Sequence, residues 1–188
     1  PWLGTFHSIC AKILRRHAKA VNLNQNFTII DQDDQSRLIK SICNAENIDI
    51  KKISPNFIIS LINKWKNFGW YPENVALKKS ENLERNLLKI YKIYQSKLTD
   101  LNACDFGDLI LHCVSIFEKN QDINEMYSKN FKYILVDEYQ DTNFIQSKWL
   151  KLLTKNHDNI CCVGDDDQSI YSWRGAEIKN FLEFDKIY

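Results

Sequence analysis

The chain has 188 residues, of which 44% are hydrophobic and 26% are charged. This composition is close to that of an average globular domain, so it excludes a disordered or collagen-like chain. No apolar run approaches about 18 residues, which excludes a transmembrane helix, and the amino terminus lacks the features of a signal peptide. Because the chain starts at Pro1 and its single methionine is Met126, we expect an internal piece of a longer protein.

The net charge of +1 conceals an uneven distribution of charge along the chain. Residues 1–103 carry 16 Lys and Arg against 9 Asp and Glu, a net charge of +7. Residues 104–188 carry 9 against 15, a net charge of −6. A basic half and an acidic half indicate one part that attracts anions and one that holds cations. Ordinary solvated surface is the alternative explanation.

The six cysteines form no CxxC pair, and no histidine lies at zinc-finger spacing from them. Most of them are in apolar stretches, where a free cysteine packs as a small hydrophobic side chain. We therefore expect reduced thiols and a cytoplasmic location.

The first elements in chain order are a helix, a short strand and a second helix. The spacing of apolar residues predicts an amphipathic helix over 7–21 with a basic opposite face. An apolar run predicts a strand over 27–30. Asp31 or Asp33 can then cap a helix over roughly 33–46.

Two further helices follow before residue 103. Ser54 and Pro55 are typical of a helix start, and this helix is expected to stop at Gly69. A long amphipathic helix is predicted over about 80–100, either in a coiled coil or, as its short length favours, in a small bundle. Residues 32–103 are therefore predicted to be all-helical.

From Cys104 onward the pattern changes to alternating helices and strands. Both predicted strands are continuous apolar runs, which are typical of buried strands in parallel sheets. Their order with the helix between them predicts a βαβ unit. The predicted helices cover 105–118, 143–154 and 176–186, and the predicted strands cover 132–136 and 159–163.

Acidic residues follow the carboxyl ends of the predicted strands, where ligands bind in open parallel sheets. These residues are Asp31, the pair Asp137 and Glu138, and Asp165 after Gly164. An apolar strand ending in Asp-Glu is the Walker B arrangement, in which the Asp holds Mg²⁺ and the second acid orients or deprotonates water. One or two carboxylates suffice for Mg²⁺ when phosphate and water complete its shell. The alternative is that the two acids cap the next helix.

Three stretches carry a resemblance to a known family. Residues 135–143 read Leu-Val-Asp-Glu-Tyr-Gln-Asp-Thr-Asn, residues 163–176 read Val-Gly-Asp-Asp-Asp-Gln-Ser-Ile-Tyr-Ser-Trp-Arg-Gly-Ala, and residues 4–8 read Gly-Thr-Phe-His-Ser. In order and spacing they resemble motif II, motif III and the motif that contacts single-stranded DNA in the UvrD/Rep/PcrA group of superfamily 1 DNA helicases. Residues 27–31 and 105–110 resemble family segments that flank an inserted helical subdomain. The resemblance covers essentially the whole chain.

The resemblance implies an α/β fold, with a partial RecA-like parallel sheet of the P-loop NTPase type and an inserted all-helical subdomain. Residues 1–31 and 104–188 would form the motor domain, and residues 32–103 the insertion. No G-x-x-x-x-G-K-[ST] phosphate loop is present in the 188 residues. The family places that loop upstream and a second motor domain downstream. We therefore expect the isolated chain neither to hydrolyse ATP measurably nor to unwind DNA.

The resemblance assigns four residues to the nucleotide. Asp137 would bind the Mg²⁺ of Mg-ATP, and Glu138 would activate the attacking water. Gln168 would sense the γ-phosphate. Arg174 would contact that phosphate or brace the acids around it.

The resemblance assigns four other residues to DNA. Tyr171 and Trp173 would lie at the DNA, with Trp173 stacking on a base without reading its identity. Thr5 and His7 would touch the backbone of single-stranded DNA. The alternatives are that Trp173 is a core aromatic residue and that His7 is a helix residue without a ligand.

The remaining charged residues have less specific expectations. Lys12, Arg15 and Arg16 face either DNA or solvent, and Asp166 is expected to be a solvated loop acid. The family places its inserted subdomain beside duplex or single-stranded DNA, and the basic residues of 37–103 suit contacts with phosphates that weaken with salt. Because most of these cations are lysines, point-charge contacts are expected rather than bidentate ones.

Taken together, the resemblance implies a fragment of an ATP-dependent 3′-to-5′ DNA helicase that acts in repair or replication restart. Its cofactors would be ATP and Mg²⁺, its partners single-stranded DNA and a duplex junction, and it would have no membrane partner. Two alternatives stay open: the helicase part of a RecB/AddA-like helicase–nuclease, and a non-catalytic remnant of a split gene that binds single-stranded DNA.

Overall fold

The computed structural model describes residues 1–48, 53–75 and 82–165, together with Asp167 and Phe184. This part of the chain is mixed α/β and mostly helical. Its helices are α1 (Phe6–His17), α2 (Gln32–Ala45), α3 (Pro55–Asn67), α4 (Asn82–Asp100), α5 (Phe106–Lys119), α6 (Gln121–Asn130) and α7 (Phe144–Thr154). Its strands are β1 (Thr28–Ile29), β2 (Ala103–Cys104), β3 (Ile134–Val136) and β4 (Ile160–Cys162). The helix predicted over 176–186 lies outside the described residues.

Local capping explains where the predicted helices begin. Asp31 rather than Asp33 caps α2, because its Oδ1 accepts a hydrogen bond from the backbone N–H of Asp34 at 2.8 Å. The hydroxyl of Ser54 accepts from the N–H of Phe57 at 3.2 Å at the start of α3. Just beyond α3, Gly69 has a φ of +75°, the left-handed conformation that glycine adopts most easily after a helix. The predicted starts of α2 and α3 are therefore confirmed.

Both sheets of the described residues are parallel pairs of short strands. β1 pairs with β2 in the register Thr28 to Ala103, and β3 pairs with β4 in the register Ile134 to Ile160. The parallel β3–α7–β4 unit is confirmed. Neither β2 nor helix α6 was predicted. The larger RecA-like sheet, and the division into motor parts and an insertion, stay predictions.

The prediction that β3 and β4 are buried on both faces is wrong for the described residues. Val136 is buried, but Leu135 is 79% exposed and Val163 is 58% exposed. A strand buried on both faces needs a covering layer on each side of the sheet. Among the described residues of the two strands only Val136 is buried, while Ile134, Ile160 and Cys162 are half-buried.

The described residues form two compact units. The first comprises Pro1–Lys66 and Trp70–Leu109, and the second comprises Asn67–Gly69 and the described residues from Ile110 onward. In the first unit, α4 packs against α2 and α3 around a shared core, in which the rings of Trp65 and Tyr91 stack with centroids 5.5 Å apart. The long amphipathic helix α4 therefore packs within a helical bundle, as its length favoured.

Two further features concern the lengths of the described helices and the state of the cysteines. No helix in the described part of the chain is both long and apolar enough to cross a membrane. All six cysteines are free, and four of them are buried.

Lys66 is the centre of a buried ion-pair network in the first unit. Its Nζ lies 2.6 Å from Oδ2 of Asp105 and 2.7 Å from Oδ1 of Asp108, and all three side chains are fully buried. The hydroxyl of Tyr94 donates to Asp105 Oδ2 at 2.9 Å. The two aspartates also cap helix α5 reciprocally, because each accepts a hydrogen bond from the backbone N–H of the other. The network therefore joins the end of α3 to the start of α5.

The charges of this network depend on one another. Burial alone would lower the pKa of Lys66, but the negative charges of Asp105 and Asp108 outweigh it and raise that pKa. Burial and the charge of Asp108 raise the pKa of Asp105, while Lys66 opposes this rise. The expectation that the basic residues of 37–103 face DNA phosphates is therefore wrong for Lys66, whose charge is compensated inside the unit.

We predict that Lys66→Met lowers the free energy of unfolding by about 3–5 kcal/mol, because it leaves two aspartates buried without their cation. Lys64→Met is the matched control, since Lys64 lies on the same helix but is exposed, and it should change the free energy by less than about 0.5 kcal/mol. Urea unfolding followed by circular dichroism measures both. Equal effects of the two changes would contradict the role given to Lys66.

Candidate functional site

The carboxyl ends of β3 and β4 meet at one edge of their sheet. Pairing continues beyond the strands, because the N–H of Val163 donates to the carbonyl of Val136 at 2.8 Å and the N–H of Tyr139 donates to the carbonyl of Val163 at 2.9 Å. Asp137 and Glu138 therefore lie beside the segment that leads from β4 to Asp165. This is the edge of a parallel sheet at which ligands bind.

Asp137 and Glu138 are both exposed at this edge. The Oδ1 atom of Asp137 accepts a hydrogen bond from the backbone N–H of Glu138 at 2.9 Å. Glu138 has a φ of 51°, a left-handed conformation that is uncommon for a residue with a side chain. Such backbone strain often accompanies functional sites and persists only where neighbouring contacts hold it.

The two acids do not cap the next α-helix. Helix α7 is capped by Asn143, whose side chain accepts from the N–H of Gln146 at 3.0 Å, while Gln146 Oε1 accepts from the N–H of Asn143 at 2.9 Å. Between the acids and α7 lies a 3-10 turn, Tyr139–Asp141, without a side-chain cap from Glu138. Among the described residues, therefore, neither Asp137 nor Glu138 caps α7.

Gln140 is a site residue that sequence reasoning missed. Its Nε2 donates to Oε2 of Glu138 at 2.6 Å, and its Oε1 accepts from the backbone N–H of Asp165 at 3.1 Å. Next to it, burial and the charge of Glu138 raise the pKa of Asp141. No local pattern marks Gln140, because its function in the fold depends on a segment 25 residues away.

Of residues 166–174, which follow Asp165 in the candidate site, the structure describes only Asp167. Asp165 Oδ1 accepts a hydrogen bond from the N–H of Asp167 at 3.1 Å, which makes a tight turn after β4. Outside the described residues lie Asp166, Gln168, Tyr171, Trp173 and Arg174. Their roles remain predictions.

Thr5 and His7 lie at the start of α1, in the first compact unit. Thr5 is the N-cap of α1, and its Oγ1 accepts from the N–H of Ser8 at 3.2 Å. The ring of His7 meets the ring of Phe106 edge to face, with centroids 5.8 Å apart. Phe106 begins helix α5 and is 56% exposed, so its ring is accessible to a ligand. Sequence reasoning missed Phe106, since its position beside His7 depends on the tertiary fold.

His7 is partly buried, and burial lowers the pKa of its imidazole. The neutral ring is therefore favoured at pH 7. His7 can offer a hydrogen bond or a ring face to a ligand at this pH, and its charge contributes little.

Arg15 has a structural role that the basic face of α1 did not reveal. Its guanidinium donates to the carbonyls of Gln25 and Phe27 at 2.8 and 3.1 Å and lies over the ring of Phe27, 4.4 Å from its centroid. Arg16 lies over the ring of Trp2 at 5.0 Å. Lys12 is exposed on the same helix. Arg15 thus holds the segment before β1. Whether Lys12 and Arg16 face DNA or solvent stays a prediction.

Comparison with known proteins identifies the family. The sequence profile of the UvrD/REP helicase N-terminal domain matches residues 1–188, the whole chain. The chain therefore belongs to the UvrD/REP helicase N-terminal domain family.

Individual relatives carry helicase names. The chain is 47% identical over 188 residues to a protein of Rickettsia typhi named DNA helicase II, and 46% identical over 187 residues to a probable DNA helicase II homolog of Rickettsia conorii. It is 44% identical over 187 residues to the ATP-dependent DNA helicase PcrA of Staphylococcus epidermidis. These alignments cover 98–100% of the chain but only 26–29% of each relative. The chain thus spans less than a third of the length of these curated relatives.

We predict that acid destabilises the protein partly through His7. Because burial lowers the pKa of His7 in the folded state, the unfolded chain binds the proton more readily. The stability gained from the neutral ring is present above the ordinary pKa of about 6.5 and is lost as the pH falls below it.

Urea unfolding at pH 7.5 and pH 5.5 should therefore give a smaller loss of stability in His7→Gln than in the wild type. Part of the loss should remain in the variant, because burial and Arg16 also lower the pKa of His17. The same pH dependence in both proteins would contradict this assignment.

Proposed function

We propose that the chain is part of an ATP-driven 3′-to-5′ DNA helicase of the UvrD type and contributes the hydrolysis acids and part of the single-stranded DNA surface. The observation that carries the proposal is the parallel pairing of β3 with β4, which brings Asp137, Glu138 and the Asp165 backbone to one edge. The names of the relatives support a helicase, and none of them refers to a nuclease.

The residues at this edge fit a magnesium nucleotide. Asp137 offers an exposed carboxylate, and only its Oδ1 accepts a hydrogen bond within the described part of the chain. Mg²⁺ prefers such hard oxygen ligands and usually needs only one or two of them beside phosphate and water. When bound, the ion would neutralise charge on the phosphates during transfer. Asp137 is therefore the proposed metal ligand.

Glu138 is the proposed residue that orients and deprotonates water. Its carboxylate is exposed beside Asp137, and one of its oxygens is fixed by the amide of Gln140. A general base has to be held within hydrogen-bond reach of the proton that it accepts. Gln168 and Arg174, which would contact the γ-phosphate, follow in the same segment as Asp165.

The proposed DNA surface combines His7 with Phe106, beside the N-cap Thr5. An exposed aromatic ring next to a neutral imidazole offers a flat apolar surface on which a base can stack, whatever its identity. Tyr171 and Trp173, which lie outside the described residues, are proposed as DNA contacts on the resemblance alone. Phe106 is an addition to the residues proposed from the sequence.

The hydrolysis acids are tested by Glu138→Gln in the full-length protein. We expect the rate of ATP hydrolysis stimulated by single-stranded DNA to fall at least about 100-fold, because the base is removed, while the dissociation constant for ATP changes little. The matched control is Asp158→Asn, an exposed acid at the opposite end of β4, which should leave the rate unchanged. Unaltered turnover in Glu138→Gln would overturn the assignment.

The DNA surface is tested by Phe106→Ala in the full-length protein. Loss of one stacked base should weaken single-stranded DNA binding by about 5-fold to 150-fold, as measured by fluorescence anisotropy at fixed salt. Phe57→Ala is the control, because Phe57 is 50% exposed on α3 and has no aromatic partner in this surface. If both variants bind DNA like the wild type, Phe106 does not belong to the DNA surface.

A further inference from the structure

Gln140 links the acid of the candidate site to the segment that follows β4. The backbone N–H of Asp165 can only donate a hydrogen bond, so the side-chain oxygen of Gln140 has to face it. The side-chain nitrogen must then face the carboxylate of Glu138, where it donates at 2.6 Å. Both ends of this amide are therefore assigned by the chemistry of their partners.

The surroundings leave this amide little freedom. Gln140 is only 1% exposed, although the carboxylate that it holds is at the surface. It lies in the 3-10 turn Tyr139–Asp141, whose first carbonyl, that of Tyr139, accepts hydrogen bonds from both the N–H and the hydroxyl of Thr142. A buried amide that is bonded at both its nitrogen and its oxygen has a fixed orientation, so the carboxylate bonded to it is also oriented.

Glu138 needs such a restraint because of its backbone. With a φ of 51°, the residue occupies a conformation that the chain leaves readily unless other contacts hold it. The N–H of Tyr139, bound to the carbonyl of Val163, holds the backbone on one side. The amide of Gln140 holds the side chain on the other.

We propose that Gln140 is a positioning residue for ATP hydrolysis: it holds the Glu138 carboxylate in its working orientation and ties that orientation to the backbone of Asp165. The inference rests on the proposed function, because it requires Glu138 to act on water. In this role Gln140 acts through Glu138 rather than by contact with the nucleotide. A displacement of the Asp165 segment would move the amide, and through it the carboxylate.

The test is steady-state ATP hydrolysis by the full-length protein carrying Gln140→Glu. A carboxylate at this position can still accept from the Asp165 N–H, but it cannot donate to Glu138 and repels it. We expect kcat to fall on the order of 10- to 100-fold, the usual effect of losing a group that orients a reacting one, while KM for ATP stays within about threefold. Gln146→Glu is the matched control, because Gln146 uses only its oxygen in the α7 cap, and it should keep the wild-type kcat.

A double-mutant cycle separates positioning from general structural damage. In a Glu138→Gln background, Gln140→Glu should lower the residual single-turnover rate no further, because the group that it positions is already absent. Equal losses in both backgrounds would overturn the inference, as would a kcat within twofold of the wild type.

A neutral variant covers the case in which the buried charge prevents folding. Gln140→Met keeps the volume and removes both hydrogen bonds, so kcat should again fall at least about tenfold with KM retained. A wild-type kcat in this variant would overturn the inference. If the wild-type protein itself hydrolyses no ATP, or Glu138→Gln hydrolyses it normally, the proposed function fails instead, so the two failures are distinguishable.

Discussion

The parallel ladder between β3 and β4 is the constraint on which the candidate nucleotide site depends. Its hydrogen bonds continue past both strands through the carbonyl of Val163, which accepts from Tyr139. Because both strands run in the same direction, their acidic ends must lie at one edge. Without this pairing, Asp137 and Glu138 would have no fixed relation to Asp165. The left-handed backbone of Glu138 and the link through Gln140 both depend on it.

Local signals in the sequence predicted much of the fold. Ser54 and Asp31 are hydroxyl and carboxylate caps, and apolar periodicity marked the long helix α4, so these elements were predictable from neighbouring residues. The two-residue strand β2 was not predictable, because its pairing partner β1 lies more than 70 residues away. The burial of β3 and β4 was overestimated, because an apolar run does not reveal whether both faces of a sheet are covered.

The residues of the candidate site also divide into those that local sequence predicts and those that it does not. Asp137 and Glu138 were predictable because the two acids are consecutive and directly follow an apolar strand. Phe106 and Gln140 were not, because each acquires its partner only through the tertiary fold. Lys66 illustrates the opposite error: counted as a surface cation in the sequence, it is buried against Asp105 and Asp108. A sum of charges cannot distinguish a solvated lysine from a compensated one.

The most direct test of the central claim is a crystal structure of the full-length protein with Mg²⁺ and a non-hydrolysable ATP analogue. We expect the γ-phosphate to lie at the carboxyl edge of β3 and β4. We also expect Asp137 to contact the ion directly or through one water, and Glu138, still bonded to Gln140, to face the attacking water. A nucleotide bound elsewhere, with Asp137 and Glu138 in bulk solvent, would contradict the claim.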